Sequence, residues 1–183
     1  MNTYISILRG INVGGHKKIK MDALRKMYSG LGFSKVESYI QSGNVVFTTR
    51  KTETQKLEKM ISREISETFG FDVSVLVLTK NELNDALIKN PYKTVSLKDP
   101  ANMCLTFLSE IPDMTLLDVI SPVWYAPDEF IQIGKIIYNF CPNGYGKTKL
   151  TNSFFENKLK LIATSRNLRT ANELMLIAEK LTE

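Results

Sequence analysis

The order of predicted secondary structure constrains the fold of this chain most, because the same order of elements occurs twice. Apolar strand-like runs and amphipathic helical patterns follow the order strand, helix, strand, strand, helix, strand in each half, with one further helix at the end. The strand-like runs are 4–8, 36–40, 44–48 and 73–78, then 103–108, 130–133, 135–140 and 161–164. The order βαββαβ is that of a ferredoxin-like unit. We predict an α+β protein of two tandem ferredoxin-like halves packed into one compact unit, with residues 1–90 and 103–183 as the halves and 91–102 as a linker.

This topology places unusual loops together at one end of each predicted sheet. Right-handed crossovers make the first and second strands of such a unit run in the same direction. The loop Arg9–His16 and the turn Gln41-Ser42-Gly43 should therefore lie at the same end of the first sheet. By the same argument, the loop Cys141–Lys149 and the turn Thr164–Asn167 should share the opposite end of the second sheet.

The connection from Arg9 to about Lys20 is longer than the ~2–6 residues that usually join a strand to a helix. It is rich in glycine, which lets backbone N–H groups approach an anion and point at it. We predict a ligand site that combines this loop with the neighbouring turn. Its candidate residues are Arg9, Gly10, Asn12, Gly14, Gly15, Gln41, Ser42 and Asn44. The alternative is structural: Arg9 would satisfy buried carbonyls of the crossover, and the polar side chains of the turn would be ordinary turn residues.

A second basic set lies in the other half. Lys147, Thr148 and Lys149 are predicted to open a helix, where the dipole and free N–H groups favour an anion. The sequence around them is not a Walker loop, because Cys141 stands where the first glycine is needed. Arg166 and Asn167 precede another predicted helix, with Asn167 as its N-cap. The structural alternatives are solvated lysines, a capping threonine, and an ion pair from an arginine to an acidic neighbour.

Two helix starts have the spacing of capping boxes. Thr52 with Gln55 and Thr79 with Glu82 each place a hydroxyl three residues before an acidic or amide side chain. The pattern predicts reciprocal side-chain to backbone hydrogen bonds at both helix starts.

Charge is unevenly distributed along the chain and favours an anionic partner. The net charge is +5, and residues 1–90 hold 14 Lys and Arg against 9 Asp and Glu, a difference that accounts for all of it. Such modest basicity suits an anionic small molecule. The alternative is a solvated surface that leans positive.

The sequence offers no recognisable metal or cofactor motif. His16 is the only histidine, and neither a CxxC nor an HExxH pattern occurs, so we expect no metal site and name no cofactor. His16 could serve as a general base or have no chemical role. Cys104 and Cys141 lie in or beside apolar runs without a secretory signal pattern, which predicts reduced cysteines in a cytoplasmic protein. No apolar run approaches the ~18 residues of a membrane span.

The predicted sheet lacks the aromatic residues of an RNA-binding platform. An RNA-recognition motif stacks bases on aromatic residues of its first and third strands. Tyr4 is suitably placed on the first strand, but Asn44 and Val46 stand where the rings of the third strand should be. This argues against nucleic acid as a partner.

Three segments carry a resemblance to a known family. They are Leu8-Arg9-Gly10-Ile11-Asn12-Val13-Gly14-Gly15, Gln41-Ser42-Gly43-Asn44 and Gly144-Tyr145-Gly146-Lys147-Thr148-Lys149-Leu150. They resemble the bacterial domain-of-unknown-function family 1697 (DUF1697), over nearly the whole chain. The resemblance implies two ferredoxin-like halves and no established activity. Thr164-Ser165-Arg166-Asn167 matches a further motif of that family, although Leu168 replaces its tryptophan.

The hypothesis we favour from these observations is a binding protein for a small anionic ligand, similar to a phosphate or a nucleotide. A rival hypothesis is a structural or interaction module without a catalytic site, in which exposed sheet edges mediate self-association. A hydrolase or transferase would require a pocket lined by Arg9 and His16 with a nearby carboxylate.

Overall fold

The computed structural model of the chain describes residues 1–96, 98–120 and 122–182, with the side chains of residues 122 and 123 left aside. Eight strands and six α-helices lie within these residues. The strands are β1 (Asn2–Leu8), β2 (Ser34–Tyr39), β3 (Asn44–Thr49), β4 (Val75–Thr79), β5 (Met103–Leu108), β6 (Glu129–Ile133), β7 (Ile136–Phe140) and β8 (Ala163–Asn167). The helices are α1 (Met21–Gly30), α2 (Thr54–Phe69), α3 (Lys80–Ile88), α4 (Met114–Asp118), α5 (Asn152–Leu159) and α6 (Leu168–Thr182). The predicted α+β class is confirmed.

The strands form two four-stranded antiparallel sheets with corresponding orders. The first sheet has the order β2-β3-β1-β4 and the second β6-β7-β5-β8. In the first sheet β1 pairs with β3, with Ile7 opposite Asn44, and with β4, with Leu8 opposite Val75. The end of β1 therefore lies beside the start of β3.

Contacts divide the chain into two compact units whose limits differ from the predicted halves. The first unit contains Met1–Asn84 and the chain from Glu173 onward, and the second contains Asp85–Asn172. Both boundaries fall inside helices, α3 and α6. Within the first unit, Lys35 Nζ donates to the Leu181 carbonyl oxygen at 3.0 Å, so the end of α6 is tied to β2.

The segment predicted as a linker belongs to the second unit. Tyr92 is buried, and its ring centroid lies 6.1 Å from that of Phe140. Lys98 Nζ lies 4.1 Å from the Phe140 ring centroid and donates to Glu129 at 2.5 Å. These aromatic and ionic contacts anchor the segment to β6 and β7, which explains why it belongs to the second unit.

The core of the first unit lies between one face of its sheet and helices α1 and α2. Strand residues of alternating positions, such as Tyr4, Leu8 and Phe47, pack there against Leu24 and Ile61. Alternation in a strand and the 3.6-residue period in a helix place these residues on facing surfaces. Ser6 is a buried polar position on this face of β1 and is hydrogen-bonded to the Tyr28 hydroxyl at 2.7 Å. Burial raises the pKa of Tyr28.

The core of the second unit is built in the same way. Leu108, Ile137 and Ala163 of the sheet pack with Phe155 and Leu159 of α5. The register places these strand residues side by side, because Leu108 pairs with Ala163.

The predicted capping boxes have different outcomes. At the start of α3, Thr79 N–H donates to a Glu82 carboxylate oxygen at 2.7 Å and Glu82 N–H donates to Thr79 Oγ1 at 3.2 Å, so that prediction is confirmed. The prediction for Thr52 and Gln55 is wrong, since α2 begins at Thr54 with Glu53 as its N-cap. Thr52 N–H instead donates to the Tyr4 hydroxyl at 3.0 Å, a partner from β1 that replaces the cap.

Candidate functional site

The glycine-rich loop and the hairpin tip after β2 are direct neighbours at one end of the first sheet. Leu8 N–H donates to the Gly43 carbonyl oxygen at 2.8 Å. Asn12 Nδ2 donates to the Gln41 carbonyl oxygen, also at 2.8 Å. The predicted juxtaposition of these two segments is thus confirmed.

Asn12 holds the loop in place through its side-chain amide. Its Nδ2 also donates to the Ile19 carbonyl oxygen at 3.0 Å, and its Oδ1 accepts from Ile19 N–H at 2.8 Å. Both amide hydrogens are therefore used within the protein. Asn12 therefore links the backbone of Ile19 to that of Gln41. Its side-chain amide has no N–H group left to donate to a ligand.

Gly14 and Gly15 form a tight turn at the tip of the loop. His16 N–H donates to the Val13 carbonyl oxygen at 3.0 Å, and φ is +57° at Gly14 and +80° at Gly15. Positive φ at both central positions is the geometry of a type I′ turn, which strongly favours glycine. Apart from Gly15 itself and its two chain neighbours, no atom of the described residues lies within 4 Å of the position that a Gly15 Cβ would occupy. The turn geometry by itself accounts for these two glycines.

Gly43 has a different role, because the loop approaches it closely. A Cβ atom built there would lie 2.6 Å from Leu8 Cβ and 2.9 Å from Ile11 Cδ1. Gly43 also has φ of +76°. This position therefore needs glycine for its space as well as for its backbone conformation.

An open cleft of about 630 Å³ lies beside these segments, at the start of α1. We call it the glycine cleft. It is lined by Asn12, Gly15, Lys18, Ile19, Lys20, Met21, Asp22 and Gln41. The N-cap residue of α1 is Lys20, and among the described residues no side chain caps this helix.

The charges at the glycine cleft are mostly positive. Lys18 and Lys20 are exposed, and no ion pair involves either lysine in the part of the chain that the structure describes. Asp22 brings one negative charge, which an ion pair with Arg25 offsets. Arg25 also donates to Ser38 Oγ at 2.5 Å, so this pair is fixed to β2.

Of the residues predicted for the first site, Asn12, Gly15 and Gln41 line the glycine cleft, whereas Arg9, Gly10, Gly14, Ser42 and Asn44 are not among its described lining residues. Asn44 is fully buried, and its amide donates to the Tyr39 carbonyl oxygen at 3.1 Å and to Ser42 Oγ at 2.9 Å. Arg9 is half-buried, and its backbone N–H donates to the Ser74 carbonyl oxygen.

Lys18 and Lys20 line the glycine cleft but were not predicted as site residues. Two lysines just before the start of a helix were a signal from which they could have been predicted.

His16 is exposed on the glycine turn and is not among the described residues that line the glycine cleft. The pocket of Arg9, His16 and a carboxylate that a hydrolase or transferase would need is therefore not formed by this cleft. Within the described residues, no group of three or more His, Cys, Asp or Glu side chains could hold a metal ion. No helix in that same part of the chain has the length and apolarity to span a membrane.

The second predicted basic set is divided by the structure. The prediction that Lys147, Thr148 and Lys149 open a helix is wrong, since α5 begins at Asn152 and Thr151 caps it. Lys147 ends a 3₁₀ turn, Tyr145–Lys147, and Thr148 is extended. Thr148 Oγ1 donates to Asp128 Oδ2 at 2.6 Å, which holds this segment against the chain before β6.

Arg166 and Asn167 also differ from the prediction. They are the last residues of β8, not part of a turn before a helix. Arg166 is buried, and its Nη1 donates to the Ser165 carbonyl oxygen at 2.8 Å and to Thr164 Oγ1 at 3.1 Å. Asn167 Oδ1 accepts from Thr170 N–H at 2.8 Å, which confirms its predicted capping role. Strand pairing with β5 extended β8 beyond the apolar run that the sequence showed.

A partly buried network of polar side chains connects the loop after β7 to β8. Tyr145 OH donates to Ser165 Oγ at 2.8 Å, and Ser165 Oγ donates to Asn152 Oδ1 at 2.5 Å. Thr106 bridges Ser165, at 2.7 Å, to the amide of Asn139, at 2.9 Å. Burial raises the pKa of Tyr145 to about 12. The loop after β7 therefore lies beside residues 164–167, but these residues are part of strand β8 and not the predicted turn.

A sequence model of one protein family matches residues 1–138, and its description is a protein of unknown function, DUF1697. The chain belongs to the DUF1697 family. The predicted family is therefore confirmed over residues 1–138, whereas the motifs at 144–150 and 164–167 lie beyond the match. The glycine cleft lies entirely within the matched residues of this DUF1697 protein.

A solved structure is similar to this DUF1697 protein over almost its whole length. It is that of the conserved bacterial protein SP0830 from Streptococcus pneumoniae, with 28% sequence identity and a TM-score of 0.70. The alignment covers 97% of the present chain and 98% of the other. No protein of curated function matches the chain.

Proposed function

We propose that this protein binds a small anion, of the phosphate type, in the glycine cleft. The observation that carries the proposal is the uncapped N-terminus of α1, which opens into a cleft lined by Lys18 and Lys20. The anion would lie over the first turn of the helix.

The first turn of α1 supplies hydrogen-bond donors to this cleft. The first N–H groups of a helix have no acceptor within the helix, and Met21 and Asp22, the first residues of α1, line the cleft. The helix dipole adds about 0.3–1 kcal/mol of attraction for an anion at such an end. The side chains of Lys18 and Lys20 add two positive charges, and Gly15, which also lines the cleft, has no side chain to hinder an anion.

The binding site is preorganised by contacts that lie outside it. Asn12 fixes Ile19 and the hairpin tip in relation to each other, and Ile19 is buried. The segment that carries both lysines is thus anchored at Ile19, which lies between Lys18 and Lys20. A preorganised site binds more tightly, since less freedom is lost on binding.

The lining of the cleft favours binding over catalysis. Among its described lining residues, Asp22 is the one acid, and its carboxylate is paired with Arg25. That lining offers no histidine, cysteine or serine as a base or nucleophile. The chemistry that remains is recognition of a negative charge.

The test is a calorimetric titration with inorganic phosphate of the parent protein and of two charge-matched double variants. Lys18→Ala/Lys20→Ala is expected to weaken binding at least tenfold, which corresponds to about 1.4 kcal/mol. Lys26→Ala/Lys51→Ala is the control, because it removes the same charge from exposed positions of the first unit that do not line the cleft. Equal weakening by both variants, or no saturable binding by the parent protein, would contradict the proposal.

We also propose a ferredoxin-like architecture for each half and a cytoplasmic location for the protein. Each sheet, with the order β2-β3-β1-β4 or β6-β7-β5-β8 and two helices on one face, supports a ferredoxin-like architecture for each half. The buried, unpaired state of Cys104 and Cys141 supports a reducing, cytoplasmic location.

A second candidate function is self-association through the edge strand β6. Ile131 and Ile133 are 41% and 39% exposed on this strand, which has a partner on one side only. Exposed edges of this kind pair with other chains. Light scattering on the purified protein distinguishes this function: a dimer that Ile131→Lys/Ile133→Lys converts to monomer supports it, and a monomeric parent protein contradicts it.

A further inference from the structure

The single tryptophan of the chain is exposed beside two lysines in the second unit. Trp124 is 72% exposed and lines a pocket of about 300 Å³. The pocket is also lined by Tyr125, Asp128, Asn143, Lys147 and Lys149. We call it the tryptophan pocket. None of its described residues belongs to the glycine cleft.

The two segments that form the tryptophan pocket are fixed to each other and to the core. Thr148 lies between the two lysines, and its hydroxyl donates to Asp128 and accepts from Leu150 N–H at 3.0 Å. Leu150 is fully buried in the core. On the other side, the ring of Tyr125 packs edge to face on Phe154, with 5.1 Å between ring centroids. The position of the lysines is therefore set by buried Thr148 and Leu150, and that of the aromatic segment by half-buried Phe154.

The charge of the pocket is positive in spite of one carboxylate. Lys147 and Lys149 are exposed, and neither forms an ion pair among the residues that the structure describes. Asp128 Oδ2 accepts from Thr148. A carboxylate has a second oxygen, which can accept from a ligand hydroxyl or amino group. Two lysines against one aspartate leave a net charge of +1.

We propose that the tryptophan pocket binds a mononucleotide-like ligand, with an aromatic base on the Trp124 ring and a phosphate between Lys147 and Lys149. Stacking of a base on an aromatic side chain contributes about 1–3 kcal/mol, and a lysine acts on phosphate as a point charge. Asp128 and Asn143 supply polar contacts for the base or the sugar. This inference is independent of the anion proposed for the glycine cleft.

The size of the pocket favours a free nucleotide over a nucleic-acid strand. A volume of about 300 Å³ is at the lower end of the usual range for small-molecule sites. Single-stranded nucleic acids need several aromatic side chains along a basic groove, one for each successive base. The described lining of this pocket has Trp124 as its one exposed ring, since Tyr125 is half-buried against Phe154.

Because Trp124 is the only tryptophan, its fluorescence reports on this pocket directly. We expect adenosine monophosphate to quench the emission of the intact protein saturably, and adenosine to do so at least tenfold more weakly because it lacks the phosphate. Inorganic phosphate should compete with the nucleotide without quenching by itself. Absence of quenching by millimolar nucleotide, or equal affinity for adenosine, would overturn the proposal. Affinity for oligodeoxynucleotides that rises with their length would also overturn it, in favour of a nucleic-acid strand.

Charge-matched variants localise the effect. Lys147→Ala/Lys149→Ala is expected to weaken nucleotide binding at least tenfold, whereas Lys93→Ala/Lys158→Ala, which removes two exposed lysines elsewhere in the second unit, should leave it unchanged. Trp124→Phe should retain calorimetric binding that Trp124→Ala loses. Lys18→Ala/Lys20→Ala should leave the quenching unchanged, so failure at one site is distinguishable from failure at the other. Equal effects of the two lysine pairs of the second unit would refute the assignment.

Discussion

Replacement of Gly43 by alanine is expected to destabilise the protein through two separable effects. The first is backbone strain, because Gly43 has φ of +76°. The second is a steric clash, because the new Cβ would lie 2.6 Å from Leu8 Cβ and 2.9 Å from Ile11 Cδ1. Both neighbours are buried. The backbone cannot withdraw freely either, since Gly43 accepts the hydrogen bond of Leu8 N–H.

The magnitude of each effect follows from known ranges. A left-handed backbone costs an alanine about 1–2 kcal/mol relative to glycine. Overpacking by one methyl group in a well-packed core costs roughly 1–3 kcal/mol. Alanine also stiffens the unfolded chain, which returns about 0.4–1 kcal/mol. The expected net loss in the free energy of unfolding is therefore about 1–5 kcal/mol by these ranges.

A matched variant isolates the steric part. Gly15→Ala places the same residue at φ of +80°. There, no described residue beyond the two chain neighbours has an atom within 4 Å of the added Cβ. Because both variants share the strain and the unfolded-state effect, their difference measures the clash, about 1–3 kcal/mol. In a chain of this length that difference corresponds to roughly 2–12 °C in Tm.

Urea unfolding followed by far-ultraviolet circular dichroism measures both variants against the parent protein. We expect Gly43→Ala to unfold at clearly lower urea than Gly15→Ala, with similar slopes for the two transitions. Equal midpoints would show that the hairpin tip does not press on Leu8 and Ile11, and the close contact of the two segments would then be refuted.

Three further predictions concern the loop, the polar network and pH. Asn12→Gly keeps the left-handed backbone of this position but removes three side-chain hydrogen bonds. We expect it to lower the free energy of unfolding by about 1.5–4 kcal/mol. It should also speed amide hydrogen exchange in the loop, which mass spectrometry measures. Tyr145→Phe removes the donor to Ser165 and should cost about 0.5–1.5 kcal/mol in urea unfolding; a neutral result would contradict the network. Burial raises the pKa of Cys104, Tyr138 and Tyr145 to about 12, so the folded chain keeps protons that the unfolded chain loses from about pH 8.5 upward. The stability that these three groups contribute should be fully present below that pH and be lost as pH rises towards 12. An unchanged urea midpoint between pH 8 and pH 10.5 would refute this prediction.

Much of the fold could be predicted from local sequence patterns. Apolar residues at strand and helix periods located the main elements, because those periods are properties of the backbone itself. The neighbourhood of the glycine loop and the hairpin tip could also be predicted, because the handedness of crossovers leaves few arrangements. The Thr79 and Glu82 cap was predictable for the same local reason, since its two partners lie three residues apart.

The candidate sites were harder to predict, because a polar side chain can turn towards a ligand or towards the protein. Asn12 and Asn44 were predicted as ligand residues, yet their amides bond to Ile19, Gln41, Tyr39 and Ser42 within the protein. Thr52 lost its predicted cap because Tyr4, distant in sequence, took its N–H. Such partners come from other strands, and no local pattern reveals them.

What the sequence by itself determined is the α+β class, the repeated order of elements, and the meeting of the glycine-rich loop with the hairpin tip at one end of the first sheet. The tertiary structure alone decided which polar residues line a cleft. It buried Arg166 in β8, left Lys18 and Lys20 at the start of an uncapped helix, and placed Trp124 beside Lys147. The physical reason is that periodicity and crossover handedness act through the backbone, which every residue shares, whereas exposure of a polar side chain depends on which groups from distant segments satisfy it first.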